Sequence, residues 1–151
     1  MVTPVLASLA SHLLEVASDG REPAIVAKAL TTLHALVFFD LLPPAERPRV
    51  VALARARVAD THDPAVWLAA VELAVATGDD QLRSMVAAVS AGAVVPALLG
   101  ELDLHLFVRS AAQRALDHAG DWWRVPGRRA ARQAILKAKE PAEDAAVAAE
   151  N

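Results

Sequence analysis

Several residue types are rare or missing from this sequence, and each absence removes a class of structure or chemistry. It contains no cysteine, so it has neither a disulfide framework nor a thiolate that could act as a nucleophile. It has no tyrosine, three tryptophans and three phenylalanines, so a core built mainly on aromatic side chains is excluded. No run of residues alternates between apolar and polar, which is the period of a half-buried strand. We therefore predict an all-α protein whose helices pack through small side chains, chiefly alanine.

Further absences bear on location and cofactors. The longest run without a charge, positions 84–100, contains Gly92 and Pro96 and is shorter than a transmembrane helix requires. Residues 1–19 lack the basic start of a signal peptide and have amphipathic helical spacing. The five histidines include no pair three or four positions apart, so no helical metal site is visible. We expect a cytoplasmic protein with no membrane segment, no metal and no cofactor.

Sequence motifs of catalysis are missing as well. The stretch Val125-Pro126-Gly127-Arg128 lacks the lysine and hydroxyl residue of a phosphate-binding loop. No serine lies in the glycine-flanked setting of a nucleophile elbow. We predict that the chain is not an enzyme.

The stretch Asp79 to Gly120 shows the most regular pattern in the chain. Its first helix carries apolar residues at a spacing of three and four, and Gly92 ends it. Pro96 suits the first turn of a second short helix, and Asp103 can cap a third by accepting bonds from backbone N–H groups. Helices this short are unstable alone, so each must pack on a neighbour. This is the physical basis of a repeat architecture.

These residues resemble the armadillo and HEAT repeats. The likeness rests on a glycine and a proline in Gly92-Ala93-Val94-Val95-Pro96-Ala97-Leu98-Leu99, followed by Val108-Arg109, Ala111-Ala112 and Ala115-Leu116. The order of short helix, proline-bearing helix and long helix is most similar to the armadillo form. The resemblance implies a short right-handed α-solenoid of about three repeats that ends in a capping helix.

The pattern recurs along the chain with a nearly constant period. A shift of 42 positions places Val108, Ala111 and Ala112 on Val66, Ala69 and Ala70, and a further shift of 41 places Asp63-Pro64-Ala65-Val66 on Glu22-Pro23-Ala24-Ile25. An acidic residue followed by proline at the first helical position therefore occurs at the same place in two successive periods of the pattern. A period of this length is typical of armadillo and HEAT proteins. We predict one domain over residues 1–139, with repeats at about 3–41, 43–78 and 79–120.

Turn signals place the helix boundaries, and apolar spacing predicts the inward faces. The first helix, about 3–17, should bury Leu6, Leu9, Leu13 and Val16, and the second, 23–39, should bury Ile25, Ala29, Leu33, Leu36 and Val37. The third is expected over 45–59 and the fourth over 64–76. Residues 121–139 form the predicted cap, and 140–151 form an acidic, alanine-rich tail.

The last helix of each armadillo repeat lines a concave groove that usually carries tryptophan and asparagine to hold a peptide backbone. The positions that match this pattern are Thr31, Glu72, Arg114 and His118. None is tryptophan or asparagine, so the resemblance implies a groove without the usual clamp. The polar line has two interpretations: a solvated helix face, or a groove that makes charge-selective contacts with a partner protein.

The charge of the chain is unevenly distributed. Residues 121–139 hold six basic residues and one acid, whereas residues 1–120 hold nine basic and 13 acidic residues. Aromatic rings beside cations are typical of surfaces that bind nucleic acids or other anions. The candidate contacts are Trp122, Trp123, Arg124, Arg128, Arg129 and Arg132. The alternative is that both tryptophans close the end of the repeat stack and the arginines solvate it.

The sequence therefore favours a non-catalytic interaction or scaffold module that binds an unidentified protein partner. Nucleic-acid binding through the Trp122 to Lys139 segment is the alternative. A remote third hypothesis is a HEAT-like DNA glycosylase, with Asp121 as the acidic residue. The oligomeric state is not indicated by the sequence.

Overall fold

A computed structural model of the protein describes residues 2–61, 63–92 and 104–118. Within these residues the secondary structure is entirely helical. A short 3-10 helix, Pro44–Glu46, precedes the third α-helix. The six α-helices are α1 (Val2–Asp19), α2 (Pro23–Phe38), α3 (Arg47–Asp60), α4 (Pro64–Ala76), α5 (Asp80–Ser90) and α6 (Leu104–Asp117). The predicted all-α fold is confirmed for the described part of the chain.

Local sequence explains where these helices begin and end. Proline occupies the first turn of α2 and α4, where a missing N–H costs little. Asp63 and Asp79 cap α4 and α5 by accepting hydrogen bonds from backbone N–H groups. Gly78 follows α4 with a φ of 72°, a left-handed conformation that glycine adopts at little cost. The predicted boundaries of α4 are confirmed at both ends.

The helices pack as three consecutive pairs that also contact one another. The pairs are α1 with α2, α3 with α4, and α5 with α6. Between pairs, α2 packs extensively on α4, α4 contacts α6, and α1 and α5 each contact α3. This arrangement is compatible with a helical repeat.

Buried positions recur along the chain at the predicted period. Six residues of the α2 region and the residues 41 positions later are all buried: Val26 and Trp67, Ala29 and Ala70, Leu30 and Val71, Leu33 and Ala74, His34 and Val75, and Leu36 and Thr77. A further shift of 42 positions places Val66, Ala69 and Ala70 on Val108, Ala111 and Ala112, which are buried as well. The helices α2 and α4 therefore share most of their buried positions, and one position, occupied by Ala29, Ala70 and Ala112, is buried in all three second helices.

Two predicted core positions are wrong. Leu9 is 39% exposed and Ile25 is 52% exposed. In α1 the innermost residues are Ala10, Leu14 and Ala17, one position after the predicted stripe, because the small alanines let the helix approach its neighbours closely. The other predicted positions in α1, Leu6, Leu13 and Val16, are half-buried at the edge of the core.

Arginines of α3 connect the ends of other helices. At the C-terminal end of α3, Arg57 donates from Nε and Nη2 to the carbonyl of Ala17, at 2.8 and 2.6 Å, and from Nη2 to that of Ser18 at 2.8 Å. At its N-terminal end, Arg47 donates to the carbonyl of Thr77, directly after α4. Neither α1 nor α4 has a basic residue in its own last turn, so α3 supplies the cation that each C-terminus favours. These contacts orient α3 parallel to α1 and antiparallel to α4.

No helix among the described residues combines the length and the apolar character that crossing a bilayer requires. The predicted cap at 121–139, the tail at 140–151 and the helix expected around Pro96 lie outside the described residues.

Candidate partner-binding groove

Helix α4 exposes a single narrow line of residues. Eight of its 13 residues are buried, because other helices pack around most of its circumference. After its first turn, only Leu68, Glu72 and Ala76 are partly accessible. Their spacing of four positions places them one above another on one side of the helix. The predicted groove residue Glu72 is thus in the middle of the only accessible strip of α4.

The same line continues on α2 and α6. Thr31 lies 41 positions before Glu72 and is half-buried, as Glu72 is. Arg114 lies 42 positions after Glu72 and is exposed. These three predicted residues lie on helices of which α2 packs on α4 and α4 contacts α6. That they share one surface stays a prediction. His118 is one turn beyond Arg114, and its backbone N–H donates to the carbonyl of Arg114 at 2.9 Å.

The polarity of this line changes along the helices. Thr31 offers a neutral hydroxyl, Glu72 a carboxylate and Arg114 a guanidinium, while Ala27 and Leu68 add half-buried apolar surface beside them. Among the described residues, Arg114 makes no side-chain hydrogen bond or ion pair, so its five donors are available to a ligand. We refer to the predicted binding surface of Ala27, Thr31, Leu68, Glu72, Arg114 and His118 as the α2/α4/α6 groove; its concave shape is part of the prediction.

The exposed hydroxyl and imidazole groups of the α6 region are far apart. Ser110 of α6 and His118, the residue directly after α6, are both exposed and lie eight positions apart. At a rise of about 1.5 Å per residue they are separated by roughly 12 Å, far beyond the reach of a hydrogen bond. In the described ranges, no group of three or more His, Asp or Glu side chains is placed to hold a metal ion.

The candidate anion-binding residues Trp122, Trp123, Arg124, Arg128, Arg129 and Arg132 lie outside the described residues. Their roles as a cap or as a nucleic-acid surface stay predictions, as does the role of Asp121 in the glycosylase hypothesis.

Sequence reasoning missed the arginines of α3. Arg57 reaches Ala17, 40 positions earlier, and Arg55 donates to Oε1 of Gln81 at 2.7 Å, 26 positions later. Arg49 donates to Oε2 of Glu46 at 2.8 Å. A signal was present in the sequence: Arg49 and Arg57 lie four positions before and four positions after Leu53. This spacing places a cation at each end of an apolar helix face.

Comparison with protein-family models, with curated proteins and with solved structures gives no match to this chain.

Proposed function

We propose that this chain is a non-catalytic protein-interaction module, built as a short right-handed α-solenoid of about three armadillo- or HEAT-like repeats. The observation that carries the proposal is the recurrence of buried positions between α2 and α4, and between α4 and α6, at the period seen in the sequence, with Ala29, Ala70 and Ala112 buried in all three helices. A repeat stack presents its last helices as neighbours, so equivalent accessible positions form a continuous binding surface. The armadillo-type groove predicted from the sequence would occupy that surface.

Contacts between pairs support the solenoid architecture. In a stack of helical pairs, a residue contacts residues about one period away, in the neighbouring repeat. The bonds from Arg57 to Ala17 and Ser18 connect residues 40 and 39 positions apart. They join the ends of α1 and α3, which would be the first helices of consecutive repeats. The contacts of α2 with α4 and of α4 with α6 fit the layer of second helices.

The character of the α2/α4/α6 groove supports a protein partner. It combines half-buried apolar surface with one carboxylate and one exposed guanidinium, and these are carried by three different helices. Contacts spread over neighbouring repeats suit an extended or helical segment better than a compact ligand, which needs a concave pocket that encloses it. Arg114 is the residue best placed to anchor such a segment, because arginine is enriched at interface hot spots. We also propose a cytoplasmic location, on the absence of cysteine.

Crosslinking and affinity capture with matched charge reversals test this function. Arg114→Glu changes the groove, whereas Arg109→Glu makes the same charge change on the same helix about 140° away. Both side chains are exposed, so neither change should unfold the chain. We expect the full chain to capture a defined protein, Arg109→Glu to keep it, and Arg114→Glu to lose about 90% of it, which corresponds to roughly 1.4 kcal/mol. Equal capture by both variants would show that the α2/α4/α6 groove does not bind the partner.

A further inference from the structure

A concave surface lies between α1 and α3. It has a volume of about 470 Å³ and is open to solvent. The described residues that line it belong to α1 and α3: Leu14, Ser18, Arg49, Ala52, Leu53, Ala56 and Arg57. None of these residues belongs to the α2/α4/α6 groove. We refer to this surface as the α1/α3 groove.

The shape of the α1/α3 groove follows from residue size along α3. The lining residues of this helix occur at spacings of three and four, so they share one face. Leu53 is buried at the floor with Leu14 of α1, while Ala52 and Ala56 are exposed. Because an alanine side chain extends only to Cβ, these two positions leave an apolar depression where larger residues would fill the space.

Both ends of this face carry cations with unused hydrogen-bond donors. Arg57 uses Nε and Nη2 on the carbonyls of Ala17 and Ser18, which leaves its Nη1 donors unused among the described residues. These three bonds also hold the guanidinium in place. Arg49 uses Nη1 on Glu46, which leaves donors on Nε and Nη2.

The charges of the lining select the type of ligand. Among the described lining residues two are cationic and none is acidic. Arg49 is already paired with Glu46 at 2.8 Å, so Arg57 contributes most to a preference for carboxylates or other anions. The floor is aliphatic and the described lining has no aromatic ring on which a base could stack, which argues against single-stranded nucleic acid. An open groove about two helical turns long, apolar along its floor and basic at both ends, matches the apolar face and acidic flanks of a helix.

We propose that the α1/α3 groove docks an acidic amphipathic helix of a partner protein. Its aliphatic side chains lie over Leu14 and Leu53, and its carboxylates accept hydrogen bonds from Arg49 and from Nη1 of Arg57. This site is additional to the α2/α4/α6 groove, and it is tested with different residues, so either surface can fail while the other stands.

A fluorescence-anisotropy titration of the full chain tests the proposal. The probe is a fluorescein-labelled peptide of about 16 residues, long enough for helix formation, built from Leu, Ala and Glu with Leu on one face. A second probe has Lys in place of every Glu. We expect the Glu probe to bind and the Lys probe to bind at least about tenfold more weakly, because it places like charges beside Arg49 and Arg57.

Variants at exposed positions locate the binding site without disturbing the fold. Ala52→Leu combined with Ala56→Leu fills the depression with a residue of high helix propensity, and Arg49→Gln removes one cation. We expect each to weaken binding of the Glu probe at least about fivefold, the double leucine variant because it blocks the depression and Arg49→Gln because it removes a charge-assisted contact. The matched controls are Ala87→Leu on α5 and Arg55→Gln on α3, both exposed and outside the lining. These should bind as the unchanged chain does.

Four results would overturn the proposal. The first is equal affinity for the Glu and Lys probes, and the second is binding that survives the double leucine substitution within about twofold, the scatter expected of distant surface changes. The third is a dimer of the free chain that the double substitution abolishes, which assigns the groove to a second copy. The fourth is binding that begins only after residues 140–151 are removed, which assigns it to the chain's own acidic segment.

Discussion

Helices α2 and α4 carry the same pattern of buried positions, shifted by one repeat period, but their surroundings differ. Helix α4 contacts α2, α3, α5 and α6, whereas α2 packs mainly against α1 and α4. Val66 of α4 is therefore 3% exposed, while Ile25, the residue 41 positions earlier, is 52% exposed. The comparison shows that the residue pattern sets which face of a helix is apolar, and that the number of neighbouring helices decides how much of that face is covered.

The largest expected effect comes from the centre of α4. Trp67 is 0% exposed, and its counterpart in α2 is Val26, at 3%. We expect Trp67→Ala to lower the free energy of unfolding by about 4 kcal/mol, because it removes a large buried side chain and leaves a cavity, and Val26→Ala by about half as much. Urea denaturation monitored by circular dichroism measures both values. Equal losses at the two positions would contradict the central place given to α4.

The second prediction uses the pair whose exposure differs. Val66→Ser should cost about 2–3 kcal/mol, because it removes buried apolar surface and introduces a hydroxyl into the core. The matched change Ile25→Ser should cost less than about 0.5 kcal/mol, as expected for an exposed position. Denaturant titration of both variants tests this contrast. A cost above about 1.5 kcal/mol for Ile25→Ser, well outside the usual range for surface changes, would mean that another surface covers α2.

The same contrast shows what the sequence could reveal. The helix boundaries and the inward face of α5 were predictable, because proline, aspartate and glycine mark helix ends and apolar spacing marks faces. The exposure of Ile25 was not predictable, because its residue type and spacing equal those of Val66. The two residues differ in how many helices pack around them, and the sequence pattern does not give that number.

The candidate sites were predictable to different degrees. Thr31, Glu72 and Arg114 came from the armadillo resemblance, and their role as a binding surface stays a prediction. The α1/α3 groove did not, since it depends on how closely α1 approaches Ala52 and Ala56. The bonds of Arg57 were also beyond the sequence pattern, because a long flexible side chain can reach many acceptors and only the packing of α3 beside α1 selects the carbonyls of α1.

The third prediction concerns the connection between α1 and α3, the first helices of the first two pairs. Arg57→Gln removes charged hydrogen bonds to the carbonyls of Ala17 and Ser18, and we expect it to cost about 1–2 kcal/mol. Arg55→Gln removes an exposed bond to Gln81 on the same helix and should cost less than about 0.5 kcal/mol. Thermal and urea unfolding of the two variants give the comparison. If both cost the same, the bonds of Arg57 do not hold α1 to α3.

The smallest effect is a gain in stability, and it tests whether α2 and α4 begin in equivalent ways. Asp63 precedes α4 and accepts hydrogen bonds from the N–H groups of Ala65 and Val66 at 2.9 and 3.1 Å. Glu22 precedes α2 with a similar extended backbone (φ −88° and ψ 115°, against −97° and 126° for Asp63), but its side chain makes no cap bond. The glutamate carboxylate is one methylene further from the backbone, which disfavours the compact geometry of a cap.

Glu22→Asp should therefore stabilise the chain by about 0.5–1 kcal/mol, and the reciprocal Asp63→Glu should destabilise it by a similar amount, because the change creates one helix cap and removes the other. Glu22→Ala is the control, since it removes the glutamate without adding a cap and should bring no gain. Urea denaturation of the three variants measures these changes in the free energy of unfolding. If Asp63→Glu is destabilising but Glu22→Asp brings no gain, the two helix starts are not equivalent, and the repeat relation would then rest on the buried positions alone.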